Sequence, residues 1–398
     1  MAHHHSPRIV TDNLVFYYDT GNVLKSYKGE PTTNYVPGTY DYSLYAYASG
    51  PVNTTATNEN KKVVDVKRYT ITNAVNTARA AIYPTTNTSD YYTFSFKWRY
   101  NGTVTTSPSI GITAFKGNPE GGANNNSFGY ERADTVAIGN NWYLTTYTFR
   151  FSSNPTGKCM LTFGITTGSN TAYVGETFDI YEAQFEVKDH RTSYASGTRS
   201  STQGLIDLIG NHTVNIDGVT FDANSQITFD GTNDYISLSP VPDINQRNYS
   251  LEAVVYRAST GATHGIWSDA QYGFFGVYIS SANVVRFRHM TNPTYASTDL
   301  GGSTTIGVGT YHIVNTYNTS TGFRTYVNGV LDASTTATTA FTLSSGRGIN
   351  KLGVYEDGAP SNANSLNGKI HLAKVYHKTL TAAEVAQNYQ AVKSRFGI

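Results

Sequence analysis

Two glutamates four residues apart, Glu182 and Glu186 in FDIYEAQFEV, are the first place where this sequence could do chemistry. A carboxyl pair cleaves a glycosidic bond when one member donates a proton and the other attacks, which needs the two about 5 Å apart. Residues four apart on a strand share a face but stand roughly 13 Å from one another. Glu182 and Glu186 therefore fall short unless another strand supplies a partner, and Asp179 projects from the opposite face. They read as solvated strand acids. The sequence contains no ExDxxE, GxSxG, HExxH or Gly-rich phosphate loop. No catalytic residue is assigned and the chain is expected not to be an enzyme; a carboxyl pair in a cleft would restore the alternative of a glycan-degrading enzyme.

Binding chemistry has more to work with. Sugar recognition needs aromatic faces to stack on pyranose rings and polar groups to reach hydroxyls. Trp267, in the loop-like stretch HGIWSDAQYG beside Asp269 and Tyr272, is the leading ligand candidate, with burial as a core aromatic the competing reading. The long polar stretch GNPEGGANNNSFGYER (Gly117–Arg132) carries Asn124, Asn125, Asn126 and Tyr130 and suits either a recognition loop or a loop that orders on a neighbouring subunit. Asp230, Asn233 and Asp234 form an oxygen-rich turn open to a hard cation such as calcium, although tight-turn chemistry accounts for the same residues. His371 and His377 share a strand parity but lie too far apart to ligate one metal. His3, His4 and His5 suit either a flexible start or a metal on the three-fold axis of a trimer.

The elements that must position these residues are strands almost throughout. In YYTFSFKWRY, Tyr92, Phe94, Phe96, Trp98 and Tyr100 face one way, and Thr93, Ser95, Lys97 and Arg99 the other. WYLTTYTFRF groups Tyr143, Tyr147, Phe149 and Phe151, and FDIYEAQFEV groups Tyr181, Ala183, Phe185 and Val187. Each predicts a strand with one buried face, the pattern of antiparallel sandwiches. Asn328–Gly329 between two β-prone runs predicts a type I′ hairpin with positive φ at both positions. One helix is expected, opened by the capping box Thr381 and Glu384 and carrying Val385, Tyr389 and Val392 on one face. Unpatterned polar stretches at 29–34 and 191–202 read as linkers.

Composition narrows the function classes. The 398 residues predict two domains, and abundant Tyr (31) and Gly (36) predict an all-β fold with many turns. Charged residues are 14% of the chain and the net charge is +1, so there is no basic stripe for nucleic acid. No apolar run approaches the ~20 residues of a membrane span. Cys159, the single cysteine, forms no intrachain disulfide and reads as a small buried apolar residue alongside Leu161, Phe163 and Ile165. The start MAHHHSPRIV lacks an apolar signal-peptide core, so a native start made in a cytoplasm is expected.

FDGTNDYISL (229–238), YHIVNTYN (311–318), YVNG (326–329) and LNGKIHLAKVYHKTLTAAEVAQNY (366–389) occur in the order seen in concanavalin A-like, laminin-G-like domains, which this part of the chain resembles. The stretch Asn13–Asn22 resembles the opening strand of the same fold. Residues 35–190 resemble the carbohydrate-binding-module-type jelly rolls of phage structural proteins, through Tyr91–Tyr100, the Trp142-led strand and YEAQFEVKDHRTSYASGTR (181–199). The resemblance implies two antiparallel β-sandwiches, one nested in the other, with two domains in tandem and Asp12–Asn22 in the jelly roll as the alternative. Residues 12–28 and 203–398 would form the host sandwich after an arm at 1–11, and Asp12–Asn22 would pair with Gly368–Lys378. Relatives of the jelly roll also imply a structural calcium near its closing strand, at Asp179, with no cofactor required. The whole layout resembles tailed-bacteriophage virion proteins, notably marine and cyanobacterial ones: head decorations, fibres or tail adhesins on the virion surface, assembled in the host cytoplasm. That resemblance implies other virion proteins as partners, self-association as a trimer or other oligomer, and contact with host glycans; a purely structural connector is the alternative.

Overall fold

The structure is a computed structural model. It describes residues 8–36, 52–70, 78–82, 88–103, 110–116, 128–151, 159–165, 174–244, 247–269, 275–290, 297–338, 350–355 and 364–398. The chain divides into two compact units, Met1–Pro31 with Ser200–Ile398, and Thr32–Arg199. After β1 (Leu14–Asp19) come β2 (Thr32–Thr33), β3 (Val52–Thr57), β4 (Val63–Thr70), β5 (Ala78–Ile82), β6 (Tyr92–Tyr100) and β7 (Ile110–Lys116). The Thr32–Arg199 unit continues with β8 (Phe128–Gly139), β9 (Trp142–Phe151), β10 (Cys159–Ile165), β11 (Thr177–Glu186) and β12 (Thr198–Arg199). Next are β13 (Thr213–Asn215), β14 (Thr220–Phe221), β15 (Ile227–Asp230), β16 (Ile236–Ser239), β17 (Tyr249–Arg257), β18 (His264–Ser268) and β19 (Phe275–Ile279). The chain ends with β20 (Val285–Met290), β21 (Ser297–Gly301), β22 (Gly309–Asn318), β23 (Gly322–Val327), β24 (Val330–Thr335), β25 (Lys351–Leu352), β26 (Asn367–Tyr376) and the helix α1 (Ala382–Phe396). The fold is all-β with a single C-terminal helix among the described residues.

In the Thr32–Arg199 unit the larger sheet runs β3-β4-β11-β6-β9-β8, beside a three-stranded sheet β5-β10-β7 and a ribbon of β2 with β12. Alternation puts Tyr92, Phe94, Phe96 and Trp98 of β6 and Tyr147, Phe149 and Phe151 of β9 in one aromatic core. Opposed residues on the two strands bring rings together, with the Tyr92 and Phe149 centroids 5.7 Å apart.

Strand β11 departs from its sequence pattern. Strict alternation groups Tyr181 with Ala183 and Phe185, but the β11–β6 register shifts between Tyr181 and Gln184, and Glu182 sits at φ +51°. An extra residue in one strand reverses the facing of everything beyond it. Phe178 and Ile180 before the bulge and Ala183 and Phe185 after it therefore all enter the aromatic core. Tyr181 instead packs on the opposite face with Trp142 and Val66.

In the other unit, two sheets enclose the core: β14-β15-β26-β17-β22-β23-β24, joined by β1, and β13-β16-β25-β18-β19-β20-β21. Along one edge of β26, β15 pairs at the start (Phe229 opposite Gly368) and β1 along the second half (Tyr18 opposite Ala373). Strand β17 is buried on both faces. Leu251, Ala253 and Val255 enter the core between the sheets, while Val254 meets Leu372 and Val392 beneath α1. The helix starts at the Thr381–Glu384 capping box and stops at Gly397 in the left-handed conformation. The Asn328–Gly329 turn has φ +49° and +79°, as its sequence predicts.

Beneath α1 lies a wholly buried polar cluster. Glu252 accepts from Lys374 Nζ at 2.7 Å, His312 Nε2 at 3.2 Å, Asn388 Nδ2 at 2.6 Å and the Tyr376 hydroxyl at 3.3 Å. The N-terminal arm joins it, because Val10 donates its N–H to Asn388 Oδ1 at 2.7 Å.

Candidate functional site

The residues singled out in the sequence do not converge. Trp267 is 1% exposed, on β18 inside the inter-sheet core, so its indole cannot serve as a stacking platform. The loop-like reading of HGIWSDAQYG failed because Gly265 and Ser268 lie within a strand buried along its whole length. Asp269 is buried as well, and Tyr272 lies outside the described residues. Asn124, Asn125 and Asn126 also lie outside them, and Tyr130 is placed only on β8, opposite Arg150 of β9.

The proposed cation ligands are engaged by the fold. Asp234 is buried and accepts from the backbone N–H of Asp230 at 2.8 Å and from the Thr220 hydroxyl at 2.8 Å. Asp230 accepts from Thr232 N–H at 2.7 Å, and Asn233 is exposed, so turn chemistry uses these oxygens. Asp179 is fully buried between two guanidiniums, bonded to Arg68 Nε and Nη2 at 2.7 and 2.9 Å and to Arg99 Nη2 at 2.8 Å. Burial pushes its carboxyl up, but the Arg68 and then the Arg99 hydrogen bonds outweigh that and hold it below its ordinary value. Two cations stand where a calcium reading needs other oxygens, which corrects the assignment of Asp179. Among the described residues no group of three or more His, Cys, Asp or Glu is arranged to hold a metal.

Glu182 and Glu186 are separated by the bulge. Glu186 is buried under donors from Thr32, Gln184 and Thr192 at 2.7–2.9 Å. Glu182 turns outward and pairs with Lys97 Nζ at 2.9 Å, and the same ammonium meets Glu59.

The bulge also makes a site. Strands β4 and β11 pair only as far as Lys67 opposite Ile180. Beyond that point Asn34 takes over the edge of β11, with its side chain accepting from Phe185 N–H at 3.0 Å and donating to the Ala183 carbonyl at 3.1 Å. Between the diverging strands lies a cleft of about 430 Å³, lined by Asn34, Val36, Asp65, Val66, Lys67, Ile180, Tyr181, Glu182, Tyr194 and Ser196. Its size lies within the range of small-ligand sites. Tyr194 is 41% exposed, Asp65 and Ser196 are exposed, and Tyr181 is nearly buried. Burial and then the Glu182 charge raise the Tyr194 hydroxyl above its ordinary value, so the phenol stays neutral. A half-exposed aromatic ring, carboxylates, an ammonium and hydroxyls thus share one concave surface.

Sequence reasoning missed most of these residues. Tyr194 and Ser196 stand in a stretch that reads as a linker, and Asp65 and Lys67 in a plain strand. The one available signal was YEAQFEV, where a glutamate interrupts a run of core residues.

No curated protein matches the chain in sequence. Among solved structures, the binding domain of Paraclostridial Mosquitocidal Protein 1 matches at 15% identity over 46% of this chain and 49% of that one, with a TM-score of 0.36. The receptor binding domain of botulinum neurotoxin D matches at 15% identity over 48% of this chain and 51% of that one, with a TM-score of 0.38. The Ruminococcus gnavus IT-sialidase CBM40 matches at 16% identity over 36% of this chain and 82% of that one, with a TM-score of 0.32. The match spans about half the length of the two toxin domains. Residues 230–386 match the family described as the concanavalin A-like lectin/glucanases superfamily.

Proposed function

We propose that the chain is a non-enzymatic surface protein of a tailed-phage virion and contacts host glycans through the cleft of the Thr32–Arg199 unit. One observation carries the glycan reading: Tyr194 stands half-exposed in a cleft that also holds Asp65, Lys67, Glu182 and Ser196. An aromatic face with polar groups around it is what a pyranose ring requires. The lectin-containing family matched by residues 230–386 is in keeping with this reading. Hydrolysis is disfavoured because Glu182 is engaged by Lys97 at 2.9 Å, whereas a general acid needs an apolar setting. The virion placement, with other virion proteins and further copies of the chain as partners, rests on the resemblance of the sequence layout.

A glycan array probed with the full chain tests the binding. Binding to defined oligosaccharides, weakened by Tyr194→Ala without change in melting temperature, is the expected result; an array with no binding overturns it. Mass spectrometry of purified particles tests the virion assignment.

A structural connector without sugar affinity is the second reading. It is favoured by β24, which ends the sheet path and exposes Val330 and Leu331 at 69% and 51%.

A further inference from the structure

Strand β8 is the longest strand of the described residues, at 12 residues, and it has one neighbour. It ends the path of the six-stranded sheet and pairs only with β9 among the described residues. From Tyr130 opposite Arg150 to Ala137 opposite Tyr143 that pairing is regular, with register shifts only at its two ends. Arg132 to Ala137 are exposed at every position, so both faces of the strand meet solvent. Among the described residues these six make no backbone hydrogen bond except those to β9. An open edge is a template for another strand, and folds usually blunt it with proline, lysine or a covering segment. Residues 130–137 contain neither proline nor lysine.

The side chains show which strand fits. Directly opposed residues share a face of the sheet. Ala133 and Ala137 lie opposite Tyr147 and Tyr143, on the side of the aromatic core, with the Thr135 hydroxyl between them 2.9 Å from that of Thr145. Arg132, Asp134 and Val136 stand on the other face. Arg132 and Asp134 are both exposed, and no ion pair among the described residues uses either. Small residues on one face and one charge of each sign on the other make this edge complementary to itself.

The backbone then restricts the register. Successive residues of an antiparallel strand turn their N–H and C=O groups to opposite edges, so those aimed away from β9 alternate along β8. Two copies join edge to edge only by pairing outward groups with outward groups. Even-numbered residues therefore stand opposite even ones, and odd opposite odd. A two-fold axis through Arg132 or through Asp134 sets like charges face to face, which is destabilising. An axis at Thr135 or beyond leaves both charges opposite uncharged residues. An axis through Ala133 sets Arg132 of each copy opposite the partner's Asp134. It also sets Ala133 against itself, which carries the row of Tyr147 across the join.

We propose that the chain forms a two-fold dimer by antiparallel pairing of β8 with β8 of a second copy, centred on Ala133. Two six-stranded sheets then become one continuous sheet. The inference rests on the self-association in the reading above, gives it a surface, and is independent of any glycan.

Sedimentation velocity of the full chain at micromolar concentration tests it, with circular dichroism to monitor folding. A dimer is expected. Arg132→Asp and Asp134→Arg each place like charges opposite one another twice, and each raises the dissociation constant at least tenfold. Both side chains are exposed, so the circular dichroism spectrum is unchanged. An equimolar mixture of the two variants returns to dimer, because the acidic edge of one meets the basic edge of the other. Ala133→Cys is a second probe: opposed Cα atoms of an antiparallel pair are about 4.5–5.5 Å apart, within disulfide reach. Oxidation is expected to link position 133 of the two copies, as read by peptide mass spectrometry. An oligomer that both charge variants leave intact, or a mixture that stays monomeric, overturns the β8 interface and leaves self-association through another surface standing. A parent chain that is monomeric throughout overturns both.

Discussion

Replacing Lys374 by methionine strands the buried carboxylate of Glu252. Both side chains are fully buried and 2.7 Å apart, so no water reaches the charge that remains. Burial alone pushes the Glu252 carboxyl up, but the Lys374 charge and then the His312 hydrogen bond bring it down to about 2, from an ordinary 4.5. At about 1.4 kcal/mol per pH unit, that difference is worth about 3 kcal/mol of folding stability. Because the folded value lies below the unfolded one, this contribution is complete above pH 4.5 and disappears as the pH falls toward 2. Removing one partner of a buried pair costs roughly 3–5 kcal/mol, in line with that figure. Amide hydrogen exchange of peptides from β17, β26 and α1 across a urea series, at pH 7 and pH 3, reads the loss in the unit concerned. The expected result is a Lys374→Met chain destabilised by about 3 kcal/mol at pH 7 and by clearly less at pH 3. Adding Glu252→Gln recovers about half of the loss or more, because the stranded charge is gone. A Lys374→Met chain within about 1 kcal/mol of the parent at pH 7 refutes the reasoning, as does a double variant no better than the single one.

Other perturbations address other parts of the fold. Asp179→Asn leaves Arg68 and Arg99 sharing a neutral acceptor and costs the Thr32–Arg199 unit about 2 kcal/mol, read as earlier urea unfolding of that unit. Gly353→Ala places a Cβ 2.1 Å from the Phe229 ring at φ +84° and costs about 3 kcal/mol, seen as faster exchange in β15 and β25. Thr381→Ala removes the cap that accepts from Glu384 N–H, costing about 1 kcal/mol and fraying the first turn of α1 without changing the sheets.

Much of the fold was legible in the sequence because strand alternation and cap chemistry are local. Tyr92 to Trp98 face the core as their spacing requires, Thr381 and Glu384 cap the helix, and Asn328–Gly329 turns the hairpin. The polar cluster under α1 was less legible: Asn388 reads as an ordinary helix residue until Glu252 and Val10 come to meet it. Trp267 shows the same limit, since its exposure was set by the sheet that packs over β18 and not by the glycine and serine beside it.

By itself the sequence determined an all-β chain with one capped helix, the concanavalin A-like motifs, and the absence of any familiar catalytic pattern. The tertiary structure decided where a cleft opens. A single inserted residue at Glu182 reverses the facing of β11, parts it from β4 and turns Tyr181 away from the aromatic core toward Trp142. Alternation along one strand carries no record of such a bulge, because only the partner strands β6 and β4 define the register it breaks. Tyr194, Asp65 and Tyr181 share a cleft for that reason, across sequence separations that no local pattern spans.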